Sequence, residues 1–262
     1  MASLSARAIS GMPEVRAGDD LAALIVAALA AEQPAGGLRD GDLVAIAHKV
    51  VSKAEGAVVS LADVNPGERA RELAAEPVAA SDGQGRDPRA VQVVLDESEE
   101  IVRAERGVLV CRTRHGFVCA NAGVDASNSA SPELLILLPR DPDQSARRIR
   151  ARLRELTGAS PAVLISDSFG RAWRHGQLDV AIGLAGIQPL EDWRGRTDAA
   201  GRELQATWLA VTDAAAATAD LARAKDSGEP VVLIEGLERF ATVPDGPGAA
   251  ALVRPLQEDL FR

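Results

Sequence analysis

Apolar and polar positions divide the chain into short runs of strand character and longer runs that begin at capping residues. Asp19 and Asp20 stand at the N-cap position ahead of the apolar run 21–29, which predicts a helix that Gly36-Gly37 ends. The turn Asp40-Gly41-Asp42 leads into 43–47, a fully apolar run of strand length. The pattern carries that strand on through Lys49 and Lys53 toward Val58 and Val59. Pro66-Gly67-Glu68 opens a helix over 69–75, with proline suited to its first turn. Residues 81–88 read as an exposed loop, and Asp87-Pro88 starts a helix that runs to Val102, with Val91, Val94, Leu95, Ile101 and Val102 as apolar positions.

Residues 107–111 and 116–119 predict a hairpin around Arg114 and His115, and 134–138 a second apolar strand. Asp141-Pro142-Asp143 caps a basic helix over 144–157 that Gly158 stops. Residues 162–166 form a third buried strand ending on Asp167, and 180–187 is strand-like with glycines that permit close backbone approach. Helices near 201–204 and 214–224 and a strand at 231–234 follow. With no repeat and no clear linker, the mix of strands and helices fits one compact unit over 1–262 with more than one sheet.

Composition narrows the function classes. The net charge of −9 argues against nucleic acid as a partner, since such binders neutralise phosphates with clustered Lys and Arg. The densest basic run, Arg147-Arg148-Ile149-Arg150, reads as a solvated helix face. Only 3% of residues are aromatic and Tyr is absent, so Ala, Val, Leu and Ile fill the core and few platforms remain for stacking bases. Cys111 and Cys119 lie in apolar stretches and read as small reduced core residues. Residues 1–13 carry no apolar segment of signal-peptide type, and the longest apolar run, 21–31, is well short of the ~20 residues that span a bilayer. A cytoplasmic protein without a membrane partner is expected.

Common nucleotide and hydrolase signatures are missing: no Gly-x-x-x-x-Gly-Lys-Ser/Thr loop, no Gly-x-Gly-x-x-Gly after a strand, no His-Glu-x-x-His and no Gly-x-Ser-x-Gly. His48, His115 and His175 are not paired at ligand spacing, which argues against zinc. Four clusters carry the candidate chemistry. Residues 121–128 crowd acid and amide oxygens among small neighbours, suited either to a hard cation or to an Asx-rich turn. In 166–171, Asp167 and Ser168 could both meet a metal and Arg171 a phosphate, or Asp167 could cap a strand-to-loop turn. In an extended strand Lys49, Val51 and Lys53 share a face, which would either line a phosphate chain or guard a sheet edge. Arg194, Arg196 and Arg202 offer cations to an anionic substrate, or belong to a surface loop. Two acidic sites in one chain favour phosphoryl transfer, where cations hold in-line oxygens.

In this order the motifs resemble the coenzyme F-420 gamma-glutamyl ligases. The resemblance runs from Gly11-Met12-Pro13-Glu14 through Val-Ser-Lys-Ala-Glu-Gly at 51–56 and Arg-His-Gly-Phe-Val-Cys-Ala-Asn-Ala-Gly-Val-Asp-Ala-Ser-Asn at 114–128. It continues in Ser-Asp-Ser-Phe-Gly-Arg at 166–171 and Gly-Arg-Thr-Asp at 195–198, and reaches Gly-Glu-Pro-Val-Val-Leu-Ile-Glu-Gly at 228–236. It implies a mixed α+β fold peculiar to that family, with a nucleotide and metal cleft and a homodimeric assembly. It further implies a GTP-dependent ligation in which the coenzyme F-420-0 carboxylate becomes an acyl phosphate, L-glutamate attacks through its amino group, and GDP and phosphate leave. Two divalent cations, magnesium or manganese, come with the resemblance, and potassium is a candidate monovalent ion.

Carried over residue by residue, Asp125 and Asp167 match ligands of one cation and Ser168 a contact to the second. His48, Lys49, Lys53 and Asn128 match nucleotide contacts, as do the segment Met12, Pro13, Glu14 and Val15 and the loop holding Lys225, Asp226 and Gly228. Asp125, Asp167 and Arg171 are the expected catalytic set. The chain departs from the pattern at Lys225, where archaeal relatives place an amide: a protonated lysine has no lone pair for a metal. No flavin-binding domain of the kind fused to bacterial relatives is recognisable, and the tail after Leu237 carries no family motif. Two other readings are a metal-dependent phosphohydrolase and a nucleotide-binding subunit without turnover.

Overall fold

The apolar runs lie side by side in one central sheet, described here from a computed structural model covering residues 3–32, 37–76, 85–127, 129, 131–242 and 244–260. In chain order the elements begin β1 (Ser5–Ala8), α1 (Leu21–Glu32), β2 (Leu43–Ala47), α2 (His48–Ala54), β3 (Val58–Ser60), α3 (Glu68–Ala74) and α4 (Pro88–Asp96). There follow β4 (Ser98–Glu105), β5 (Val108–Thr113), β6 (Val118–Ala120), β7 (Leu134–Ile136) and α5 (Pro142–Thr157). The remainder is β8 (Ala162–Arg171), β9 (Arg174–Ala185), β10 (Leu190–Asp192), β11 (Trp208–Ala210), α6 (Val211–Ala222) and β12 (Val231–Glu235).

The central sheet has the order β1-β12-β2-β8-β9, with β2 and β8 parallel and the other pairs antiparallel. Smaller sheets are β4-β5-β6, β3-β7 and β10-β11, which makes the fold mixed as expected. Helices cover both faces of the central sheet. On one, α1 and α5 bury Ile25, Leu29, Ile149 and Leu153 against Val44, Ile46, Val163 and Ile165. On the other, the small residues Ala215, Ala216 and Ala219 of α6 pack on Leu43, Ala45, Leu164 and Val232. Successive side chains of a strand face opposite ways, so a strand covered on both sides must be apolar throughout. Residues 43–46 are accordingly all fully buried.

Several local signals act as anticipated. Asp20 accepts the Ala23 N–H at the start of α1, Asp141 accepts the Gln144 N–H at the start of α5, and Gly158 ends α5 at φ 80°. Cys111 and Cys119 face each other across β5 and β6, both buried and not joined by a disulfide. A side chain at Gly183 would strike the Pro142 carbonyl, which is why β9 lies so close to α5.

Other expectations fail for definable reasons. The strand from Leu43 does not run on through Lys49 and Lys53; it stops at Ala47, and 48–54 is helical. His48, Val51 and Ser52, at helical spacing, form the buried face of α2, so Lys49 and Lys53 share a helix face instead of a strand face. The helix from Pro88 ends at Asp96, because Ile101 pairs opposite Cys111 in a sheet. β8 passes beyond Asp167 to Arg171, since β9 continues to pair with it. Residues 201–204 follow a turn at 199–200 and include Glu203, which bridges Thr197, so they form no helix. The run 147–150 is not simply solvated: Arg150 is buried, 2.8 Å from Asp245, and donates to the Pro161 and Thr242 carbonyls. Part of the loop expected at 81–88, residues 81–84, lies outside the described residues. Among the described residues no helix is long and apolar enough to cross a membrane.

Candidate active site

The topology gathers the candidate segments at one edge of the central sheet. β2 and β8 are parallel, with Ala47 beside Ser166, so His48 at the start of α2 emerges next to Asp167. β12 runs antiparallel to β2, with Val231 beside Ile46, which brings the loop ending at Pro230 to the same edge. β1 runs antiparallel to β12, with Ala8 opposite Val232, and so delivers Met12–Val15 there as well. Carboxyl ends of parallel strands are the usual place for ligands in such sheets, because the chain must leave the ladder there.

Two carboxylates flank the first turn of α2. His48 is 1% exposed, and its Nε2 lies 3.3 Å from Asp167 Oδ1 without the alignment of a hydrogen bond. Asp167 Oδ1 accepts the Ser168 N–H at 2.7 Å. The next residue, Lys49, places Nζ 2.6 Å from Asp125 Oδ2 and donates to Ser127 Oγ at 2.6 Å. Asp125 Oδ1 accepts the Ser127 N–H at 2.6 Å. Burial pushes the Asp125 carboxyl up, but Lys49 and Ser127 outweigh it and hold the group below its ordinary range. Burial and the Asp167 charge together push the Cys119 thiol up to about 12, consistent with an inert core residue.

The backbone before Asp125 is bent. Asn121, Ala122 and Gly123 all have positive φ, of 52°, 53° and 73°, a conformation that costs non-glycine residues of order 1 kcal/mol or more. A side chain on Gly123 would strike Leu138. The Asp125–Ile136 bridge then fixes where the bent segment ends, with both backbone hydrogen bonds made. Asn121 Oδ1 is buried without a hydrogen-bond partner among the described residues, as is His48 Nε2. Such buried atoms ask for a partner.

The remaining expected residues divide. Lys53 pairs with Glu14 at 2.6 Å, so α2 and the 12–15 segment meet, with Val15 buried, Met12 packed on the core and Pro13 exposed. Lys225 donates to Ser168 Oγ at 2.8 Å. Asp226 and Gly228 lie in an exposed turn, Gly228 at φ 70°. Arg171 stands apart: its guanidinium donates to the His175 carbonyl within the hairpin, four residues along the strand from Asp167. Arg194 and Arg196 lie over Trp208 and Trp193 in the region of the β10–β11 ribbon. Asn128 lies outside the described residues. Two surface hollows, one lined by Arg103, Glu105, Arg106 and Val108 and the other by Glu55, Arg140, Asp141 and Arg148, include none of these groups.

The sequence reading missed Asp179. This carboxylate on β9 is 1% exposed and accepts from Ser166, Ser168, Arg223 and Lys225. Its burial is outweighed by Ser168, Arg223 and Lys225, which keep it ionised below the usual carboxylate range. The only signal in the sequence is an acid between the apolar residues Leu178 and Val180.

The two cation positions that the resemblance implies fare differently. Asp125 and Asp167 offer hard carboxylate oxygens on either side of one helical turn, a donor set that suits magnesium or manganese, with Lys49 as the countercharge on Asp125. Ser168 is already hydrogen-bonded to both Asp179 and Lys225 and does not fit a second metal. Among the described residues no three His, Cys, Asp or Glu side chains form a group able to hold an ion.

Comparison with known proteins agrees with these motifs. Residues 11–236 match the family model described as F420-0:Gamma-glutamyl ligase. The chain is 44% identical to the coenzyme F420:L-glutamate ligase of Methanothermobacter thermautotrophicus, over 97% of each chain. It is 46% identical to the enzyme of that name from Methanopyrus kandleri, over 95% of this chain and 94% of that one. The corresponding protein of Methanocaldococcus jannaschii is 43% identical over 86% of each. Matches of this extent make the protein a ligase. The chain belongs to the F420-0:gamma-glutamyl ligase family.

Proposed function

We propose that the protein joins L-glutamate to coenzyme F-420-0 in a GTP-dependent reaction, forming gamma-glutamyl amide bonds by way of an acyl phosphate and releasing GDP and phosphate. What supports the reading most is the placement of Asp167 and Asp125 against the consecutive residues His48 and Lys49, in a chain of this family. A divalent cation on Asp125 and Asp167, when bound, supplies charge neutralisation and polarisation at phosphoryl oxygens.

The chain's own residues do the rest. Lys53, on the same helix face as Lys49, meets the phosphate chain, and Glu14 orients its ammonium from the 12–15 segment. Lys49 neutralises Asp125 and turns to phosphate oxygens when that pairing is replaced. His48, buried behind Asp167, fixes the direction of that carboxylate. Potassium is assigned as a further ion. The protein acts as a homodimer, for which the exposed Trp208 and Leu209 of β11 and Leu221 of α6 provide apolar surface.

The test is mass spectrometry of coenzyme F-420-0 incubated with the protein, GTP, L-glutamate and manganese. The expected product is heavier by one or more glutamyl residues, with one GDP and one phosphate per bond. Phosphate release that ignores glutamate would replace this reading with a phosphohydrolase.

A further inference from the structure

The oxygens around Ser168 converge on a single ammonium. Lys225 Nζ stands 2.8 Å from Ser168 Oγ, 3.2 Å from Asp179 Oδ1 and 2.6 Å from Asp220 Oδ1. The last contact is an ion pair whose angle makes no hydrogen bond; charge attraction needs no such alignment. Ser168 Oγ itself donates to Asp179 Oδ1 at 2.6 Å. Two carboxylates and a hydroxyl around one point are the donors a hard cation would take. Here that point holds a side chain with one positive charge and no lone pair.

The seat is rigid. Asp179 is buried, and its other oxygen is held by Arg223 at 2.5 Å and Ser166 at 2.9 Å. Arg223 is tied in turn to the Pro230 carbonyl at 2.8 Å, at the start of β12. Asp220 projects from α6, with its side chain only 17% exposed. Lys225 is itself 57% exposed, so the ammonium keeps an open side toward solvent and any phosphate that enters. Moving it would strip two acids of their shared cation.

We propose that Lys225, seated by Asp179 and Asp220, is the built-in second cation of this enzyme, so that each chain takes up one divalent ion and meets the nucleotide phosphates with an ammonium in place of another metal. The inference rests on the nucleotide-dependent ligase reading. Asp179 and Asp220 are positioning residues in it, acting only through Lys225.

Counting bound manganese tests it. The full chain is titrated with Mn(II) in the presence of a non-hydrolysable GTP analogue, and the free ion is followed by electron paramagnetic resonance while analogue binding is measured separately. The wild-type chain should bind one equivalent, and Lys225→Gln, which offers an amide oxygen and frees both acids, should bind two. Two equivalents in the wild type, or one in Lys225→Gln, overturns the proposal while leaving the ligase reading intact. A chain that retains neither analogue nor manganese removes the nucleotide reading and this inference with it.

Discussion

Asp125 and Asp179 are both carboxylates held below their ordinary range against the cost of burial, Asp125 by Lys49 and Ser127 and Asp179 by Ser168, Arg223 and Lys225, yet their surroundings differ. Asp125 follows a bent turn, has a side chain 34% exposed, and meets one ammonium and one backbone N–H. Asp179 lies within a strand pair, has a side chain 2% exposed, and receives two hydroxyls, a guanidinium and an ammonium. A carboxylate accepts about four hydrogen bonds, so Asp179 has no capacity left while Asp125 has some. The lesson is that an ion pair where strands leave the sheet is available for exchange when solvent reaches it and few partners hold it. The buried pair fixes geometry instead, and removing one partner leaves an uncompensated charge.

The comparison can be broken most forcefully at the neighbouring acid that completes the exchangeable side. Asp167→Asn should lower turnover by about 10³-fold or more, roughly 4 kcal/mol of transition-state stabilisation, while the fold survives. Unchanged turnover at saturating manganese would defeat the assignment of Asp167.

On the fixed side, Asp179→Ala should cost about 3–5 kcal/mol of stability in chemical denaturation, because Arg223 is left buried without its countercharge. A loss under about 1 kcal/mol would show that the network is not structural. The same cluster gives a pH dependence. A depressed carboxyl contributes stability that is complete above the unfolded value of about 3.9 and is lost as pH falls through the lower folded value. Metal-free protein should therefore lose stability below about pH 4, and Asp179→Asn should flatten that acid limb. An acid limb of equal slope in both proteins would rule out the contribution.

Smaller effects sharpen the contrast. Lys53→Ala should weaken GTP binding about tenfold, about 1.4 kcal/mol, and change the KM for glutamate much less. Equal effects on both would remove Lys53 from the nucleotide. Last, the two serines differ by burial: Ser166→Ala should cost about 1 kcal/mol, and Ser127→Ala, on the exposed Asp125 turn, under about 0.5 kcal/mol. Similar losses at both positions would mean that the two acids are held alike.

The sequence by itself determined the elements with local signals. Capping acids, Gly158 and the fully apolar runs at 43–47, 162–165 and 231–234 located α1, α5 and strands of the central sheet. It also placed Asp125 and Asp167 inside long motifs, because the residue types that chemistry needs are written in order. Tertiary structure alone decided three things. It turned 48–54 from strand into helix, since β2 reaches the sheet edge at Ala47 and His48, Val51 and Ser52 then find burial at helical spacing. It made Ser98–Glu105 a strand, since the pairing partner comes from later in the chain. And it brought Asp179, Asp220 and Arg223 around Lys225 from β9, α6 and the loop that follows. Each of these depends on side-chain burial or strand pairing that the folded chain supplies, across a hairpin for Ser98–Glu105 and across more than forty residues between Asp179 and Lys225, and the local run of residue types does not record that energy.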